Sequence, residues 1–241
     1  MQHRIALAPS LSPSSLEALE KGLEAGFDAD VWVLHGSQDG VFCRGMDLAS
    51  ATSGEGDMRA ALVRFARSVA RLRWAPCPTI AIIDGDVSGG GLGLAAACDV
   101  VIATERSTFA LPEILYGLLP GIILPALLER MTPQSARLLT LSGTSRPAAW
   151  AERHGLCDEN AANLERAASR WSKELGRADK KRVPRLRTWV TTIPHLGADE
   201  ALERGAEITA ALVEDPEVQE AVRAFTADGT PPWITRKGRA S

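Results

Sequence analysis

The residues with the most capacity for chemistry lie in DGDVSGGGLGLAAACD, residues 84 to 99. Three consecutive glycines, 89 to 91, follow the apolar run Thr79 to Ile83 and precede Leu92 to Ala97, small residues that predict a short helix buried on most sides. Glycine admits close approach and positive φ, so a helix begun there presents backbone N–H groups uncovered by side chains. Such groups hold negative charge. A glycine run also serves as a plain turn or packing contact, so its neighbours decide its meaning. Asp84 and Asp86 precede the turn and read as backbone caps, although either is a candidate second polar group for a reaction there. Glu113 follows a proline and, taken alone, reads as a solvated residue at a helix start. No zinc-ligand spacing, phosphate loop or dinucleotide fingerprint is present, so no metal or redox cofactor is implied.

The elements that must hold these residues follow from periodicity and punctuation. A short strand over Ile5 to Ala8 leads to a helix from about Ser15 to Ala25, capped by Ser12 or Ser14. Val31 to Leu34 and Val100 to Ala103 read as strands covered on both faces. Residues 49 to 57 are small and polar and predict a mobile loop beside the site. Met58 to Leu72 is an amphipathic helix with Arg59, Arg64, Arg67 and Arg71 between its apolar positions. Thr132 and Pro133 open a helix to about Leu141, a further helix spans Pro147 to His154, and Leu156 to Asp158 occupies the place of a short strand. Helical patterns dominate after residue 160, including Asn160 to Gly176, Asp199 onward, and a last helix after Asp215-Pro216.

A chain of 241 residues buries a large core. With Lys+Arg 27 against Asp+Glu 30, nucleic acid is not suggested as a partner. The four cysteines form no paired motif, which suits reduced thiols in a cytoplasm. The apolar stretch Leu115 to Leu128 is too short to span a membrane and contains Pro120 and Pro125.

Residues 89 to 121, GGGLGLAAACDVVIATERSTFALPEILYGLLPG, resemble the central signature of the crotonase, or enoyl-CoA hydratase/isomerase, family. FCRGMD at 42 to 47 resembles that family's first oxyanion loop. With LPEILYGLLPG and a terminal DGTPPW, the chain is most similar to the hydratase-like dehydratases of polyketide β-branching. The resemblance covers roughly residues 16 to 235, and the front end departs from it: about twenty residues of an initial strand pair and loop are missing or compressed. It implies an α/β fold, a ββα spiral over 1–160 with a helical region over 161–241 that completes the pocket and makes the contacts of a homotrimer or hexamer.

The resemblance also assigns roles. The backbone N–H groups of Met46 and Gly90 become the two oxyanion donors, Glu113 the acid/base, and the Arg44 and Asp47 region part of the substrate-binding loop. Hydratases of the family carry a second glutamate where this chain has Gly93. A lone carboxylate can remove an α-proton and return it to a departing hydroxyl, a syn elimination. The expected reaction is dehydration of a 3-hydroxy-3-methylglutaryl-type thioester to the 3-methylglutaconyl thioester. A double-bond isomerase and an inactive carrier-binding protein are the alternatives. The acyl group is expected on coenzyme A or on the phosphopantetheine of an acyl carrier protein. Residues 170 to 187 hold eight basic side chains against two acidic ones, which makes Arg182, Arg185 and Arg187 candidates for its phosphate.

Overall fold

The computed structural model describes residues 1–47 and 57–234. Strands run in successive pairs: β2 (Val31–Gly36) with β3 (Gly40–Cys43), β4 (Thr79–Ile83) with β5 (Gly85–Ser88), and β6 (Val100–Ala103) with β7 (Thr108–Ala110). The first member of each pair joins a five-stranded sheet with β1 (Gln2–Leu7) and β9 (Glu159–Asn160), in the order β1-β2-β4-β6-β9. The second joins a four-stranded sheet closed by β8 (Arg146–Pro147), in the order β3-β5-β7-β8. Among the described residues the pairings between these strands are all parallel except β7 with β8. Each strand pair is therefore one turn of the crotonase-like ββα spiral.

Parallel strands covered on both faces lose their apolar alternation. In β2, β4 and β6, Leu34, Ala81, Ile83, Val101 and Ala103 face the main core, while Val33, Ile80, Ile82, Val100 and Ile102 face the other side. Ala167 and Ala168 of helix α7 (Leu164–Leu175) cover that second face. The first compact unit runs to Gly176, so it includes α7, which packs on the sheet.

Helix α1 (Pro13–Ala25) starts at Ser12, whose hydroxyl accepts from the Ser15 amide while Ser15 Oγ accepts from the Ser12 amide. That reciprocal cap is worth about 1 kcal/mol. Asp57 caps α2 (Met58–Arg73), and the rest of the polar stretch at 49 to 57 lies outside the described residues. Three arginines of α2 make ion pairs: Arg64 with Glu20 at 2.7 Å, Arg71 with Glu24 at 2.8 Å, and Arg73 with Glu129. Helix α3 (Gly90–Ala96) is wholly buried. It is followed by α4 (Leu124–Arg130), α5 (Pro133–Ser142) and α6 (Ala148–Arg153).

The strand expected at Leu156 to Asp158 falls instead at β9. Asp158 uses its carboxylate, accepting from the Val101 amide at 2.7 Å and pairing with Arg130. The second unit, from Arg177 on, holds α8 (Val183–Thr192), α9 (Ala198–Val213) and α10 (Pro216–Asp228). Neither α9 nor α10 buries a residue, and Leu202, Val213, Val222 and Phe225 are exposed. Among the described residues no helix is long and apolar enough to cross a membrane.

The turn between the two sheets depends on Gly85, whose φ is 122° and whose added Cβ would lie 2.0 Å from the Gly40 carbonyl oxygen. Gly85→Ala is expected to lower unfolding stability by roughly 1–3 kcal/mol or more, seen as an earlier urea midpoint with an unchanged slope.

Candidate active site

The candidate site is built around Gly89. Its φ of 52° turns the chain from β5 into α3, and its N–H donates to the Ala110 carbonyl at 3.2 Å, at the end of β7. Three residues beyond Ala110 stands Glu113, the first residue of a 3-10 turn, Glu113–Tyr116. A Cβ added to Gly89 would lie 3.0 Å from Glu113 Oε1, so the carboxylate occupies the space that the missing side chain leaves.

The loop after β3 arrives from the other side. The Gly45 carbonyl accepts from the Leu11 amide at 2.8 Å, and the Asp47 amide donates to the Leu11 carbonyl at 3.3 Å. In an extended bridge of this kind neighbouring residues point their polar groups to opposite sides, so the Met46 N–H is directed away from Leu11. Gly45, with φ 86°, lies so close that its added Cβ would be 2.5 Å from the Gly90 nitrogen. Gly90 opens α3 without a side-chain cap at Gly89, and the first N–H groups of a helix have no partner within it. Gly45, Gly90 and Glu113 therefore lie around Gly89, and Met46 follows Gly45 in the chain.

Glu113 is half-buried, yet its Oε2 atom is buried with no hydrogen-bond partner among the described residues. Burial pushes its carboxyl above the usual carboxylate range, opposed by its own backbone N–H. This environment favours the protonated carboxyl, unlike that of a carboxylate held in an ion pair. The buried thiol of Cys43 is the contrasting case: burial pushes it up to about 11, which leaves no nucleophilic thiolate.

The position at which the resemblance expects a second carboxylate is buried and lined by apolar side chains. A Cβ on Gly93 would meet Ile123 Cγ1 at 3.1 Å and Phe65 Cζ at 3.5 Å. Asp84 and Asp86, held in reserve as polar helpers or caps, are instead tied to side chains. Asp84 accepts from Arg106 at 2.6 Å and from Thr104 at 2.8 Å, and Asp86 accepts from Thr108 at 2.9 Å and from Arg44 at 3.1 Å. Arg106 holds the Asp84 carboxyl below its ordinary range.

The remaining sequence candidates separate. The Arg44 guanidinium lies against Asp86, and Asp47 fixes the loop through its backbone. In the second unit Arg182 is held by Asp215 and Asp179. Arg185 lines a cavity of about 460 Å³ with Trp189, Arg204 and Ile208. Arg187, on α8 as well, has interactions of its own. Sequence reading placed Phe65 on the apolar face of α2 and gave no site role to Phe65, Ile123 or Tyr116. The signal for Tyr116 was Gly117, whose φ of 75° stops the chain after one 3-10 turn and leaves Tyr116 three residues from Glu113.

Residues 3–236 match the family model described as enoyl-CoA hydratase/isomerase. Over 163 residues the chain is 28% identical to the bacillaene synthase dehydratase PksH of Bacillus subtilis, covering 68% of this chain and 62% of that relative's length. It is 27% identical over 232 residues to a putative enoyl-CoA hydratase of Thermus thermophilus, covering 93% of this chain and 90% of the relative. The solved structure of AtuE from Pseudomonas aeruginosa superimposes with a TM-score of 0.83 at 28% identity, covering 95% of each chain.

The raised carboxyl of Glu113 carries a stability signature. Between the unfolded and folded values the native state binds more protons, so folding stability falls as pH rises through that window. Glu113→Gln removes this cost. The variant should unfold at a higher temperature than wild type at pH 7, with the difference vanishing below the ordinary carboxylate range.

Proposed function

Because the chain belongs to the enoyl-CoA hydratase/isomerase family, we propose that it dehydrates a 3-hydroxyacyl thioester with Glu113 as its only acid/base. The observation that carries this reading is the pairing of Glu113, whose buried Oε2 atom has no hydrogen-bond partner among the described residues and which lies beside Gly89, with a carboxylate-free position at Gly93. Glu113 takes the α-proton, and the carbon–hydrogen electron pair moves into the thioester as an enolate. The N–H groups of Met46 and Gly90 stabilise the charge on the carbonyl oxygen, which is larger in the transition state than in the bound substrate. The enolate collapses to the α,β-double bond as the 3-carbon–oxygen bond breaks. The proton on Glu113 leaves with the hydroxide as water, and the carboxylate is restored. One carboxylate is enough because the proton it removes is the proton it delivers.

The substrate we favour is a 3-hydroxy-3-methylglutaryl-type acyl group, converted to the 3-methylglutaconyl thioester. Its support is the likeness to a relative named as a dehydratase of bacillaene synthase. The pantetheine handle belongs to an acyl carrier protein, with coenzyme A as the alternative, and the basic segment around Arg185 is the candidate for its phosphate. The exposed apolar side chains of α9 and α10 support a homotrimer or hexamer.

Mass spectrometry of the acyl product tests the reaction. A loss of 18 mass units, the mass of one water, is expected from the 3-hydroxyacyl thioester on either carrier, and Glu113→Gln should lower turnover about 10²- to 10⁴-fold. Full activity in Glu113→Gln contradicts the reading. Proton migration in an unsaturated substrate, with no water lost from the hydroxy substrate, replaces it with isomerisation.

A further inference from the structure

A departing hydroxyl needs orientation as well as a proton, and in this site the usual provider is missing. Position 93 has no side chain and is walled by Ile123 and Phe65. Asp84 and Asp86 are committed to Arg106, Thr104, Arg44 and Thr108. A further polar group near Glu113 stands within its own turn.

Glu113–Tyr116 is a single 3-10 turn of four residues, fixed by the Leu115 N–H donating to the Pro112 carbonyl at 2.9 Å and the Leu118 N–H to the Glu113 carbonyl at 3.0 Å. In a 3-10 helix residues i and i+3 eclipse, separated by about 6 Å along the axis. Glu113 and Tyr116 hold those positions, so both project from one face of the turn. Tyr116 is the chain's only tyrosine, is 71% exposed, and its phenol has no hydrogen-bond partner among the described residues. It is flanked in the chain by Leu115, Leu118 and Leu119, which are exposed as well. A phenol there combines an apolar ring with one polar tip.

Resting on the dehydratase reading above, we propose that the Tyr116 hydroxyl donates a hydrogen bond to the 3-oxygen of the substrate and orients it for loss as water. Tyr116 keeps its own proton throughout. Glu113 supplies the proton that leaves with the oxygen, and the phenol disperses the charge that builds on that oxygen as the carbon–oxygen bond breaks. The pairing of an aromatic donor with one carboxylate in a single turn takes the place of the second carboxylate absent at Gly93.

The test separates enolate formation from hydroxyl loss. Tyr116→Phe should reduce kcat for dehydration about 10- to 100-fold, the scale of one lost hydrogen bond to a charged group, with KM moved much less. Deuterium uptake at the α-carbon of a butyryl thioester, which has no 3-hydroxyl, should stay within about twofold of wild type because Glu113 and the N–H pair are intact. Equal dehydration rates in variant and wild type overturn the assignment. So does an equal fall in both reactions at an unchanged melting temperature, which makes Tyr116 a support for Glu113 alone. A wild-type protein that exchanges the α-proton of the butyryl thioester but never dehydrates a 3-hydroxyacyl thioester overturns the dehydratase reading itself, and the Tyr116 role with it.

Discussion

Everything in the site depends on two glycine backbones pressed together. Gly45 reaches the Gly90 amide at a distance that admits no side chain, and Gly91 sits where a Cβ would fall 2.1 Å from the Cys43 carbonyl. These contacts bring the end of β3 and the start of α3 to one point although they come from different turns of the spiral. Met46 and Gly90 become neighbours only through them. Because the fit involves main chain on both sides, a substitution there has no flexible side chain to displace.

The same packing sets the electrostatics. Helix α3 is buried along its whole length, and beside its start the Oε2 atom of Glu113 is buried without a hydrogen-bond partner among the described residues. A carboxylate in such a place costs stability at neutral pH, and that cost is the physical counterpart of its readiness to accept a proton. Elsewhere the molecule treats its carboxylates in the opposite way. Asp84 and Glu20 lie against arginines that hold them ionised, and Asp99 accepts from the amide and hydroxyl of Thr79. Glu113 is set apart by its lack of such a partner.

Much of this was legible in the chain itself. The runs Val31 to Leu34 and Thr79 to Ile83 announce strands covered on both faces, and Ser12, Thr132-Pro133 and Asp215-Pro216 mark helix starts that the structure keeps. The short strands β3, β5, β7 and β8 were not legible, because two to four residues are too few to carry a periodicity. Long-range ion pairs were hidden for a different reason. Arg106 with Asp84, or Arg182 with Asp215, are joined by topology and not by spacing. Glu113 could be singled out only through its surrounding motif, since one glutamate after a proline has no distinguishing pattern.

A single carboxylate that both takes and returns the proton must work from one face of the substrate, and this geometric consequence exposes the mechanism most directly. The measurement is the stereochemical course of elimination, followed with 3-hydroxyacyl thioesters carrying deuterium at one or the other α-position. Loss of the label that lies on the same side as the departing hydroxyl, with retention of the other, is the syn course that Glu113 acting alone requires. Loss of the opposite label would be an anti elimination, which demands a second acid or base and would contradict the account.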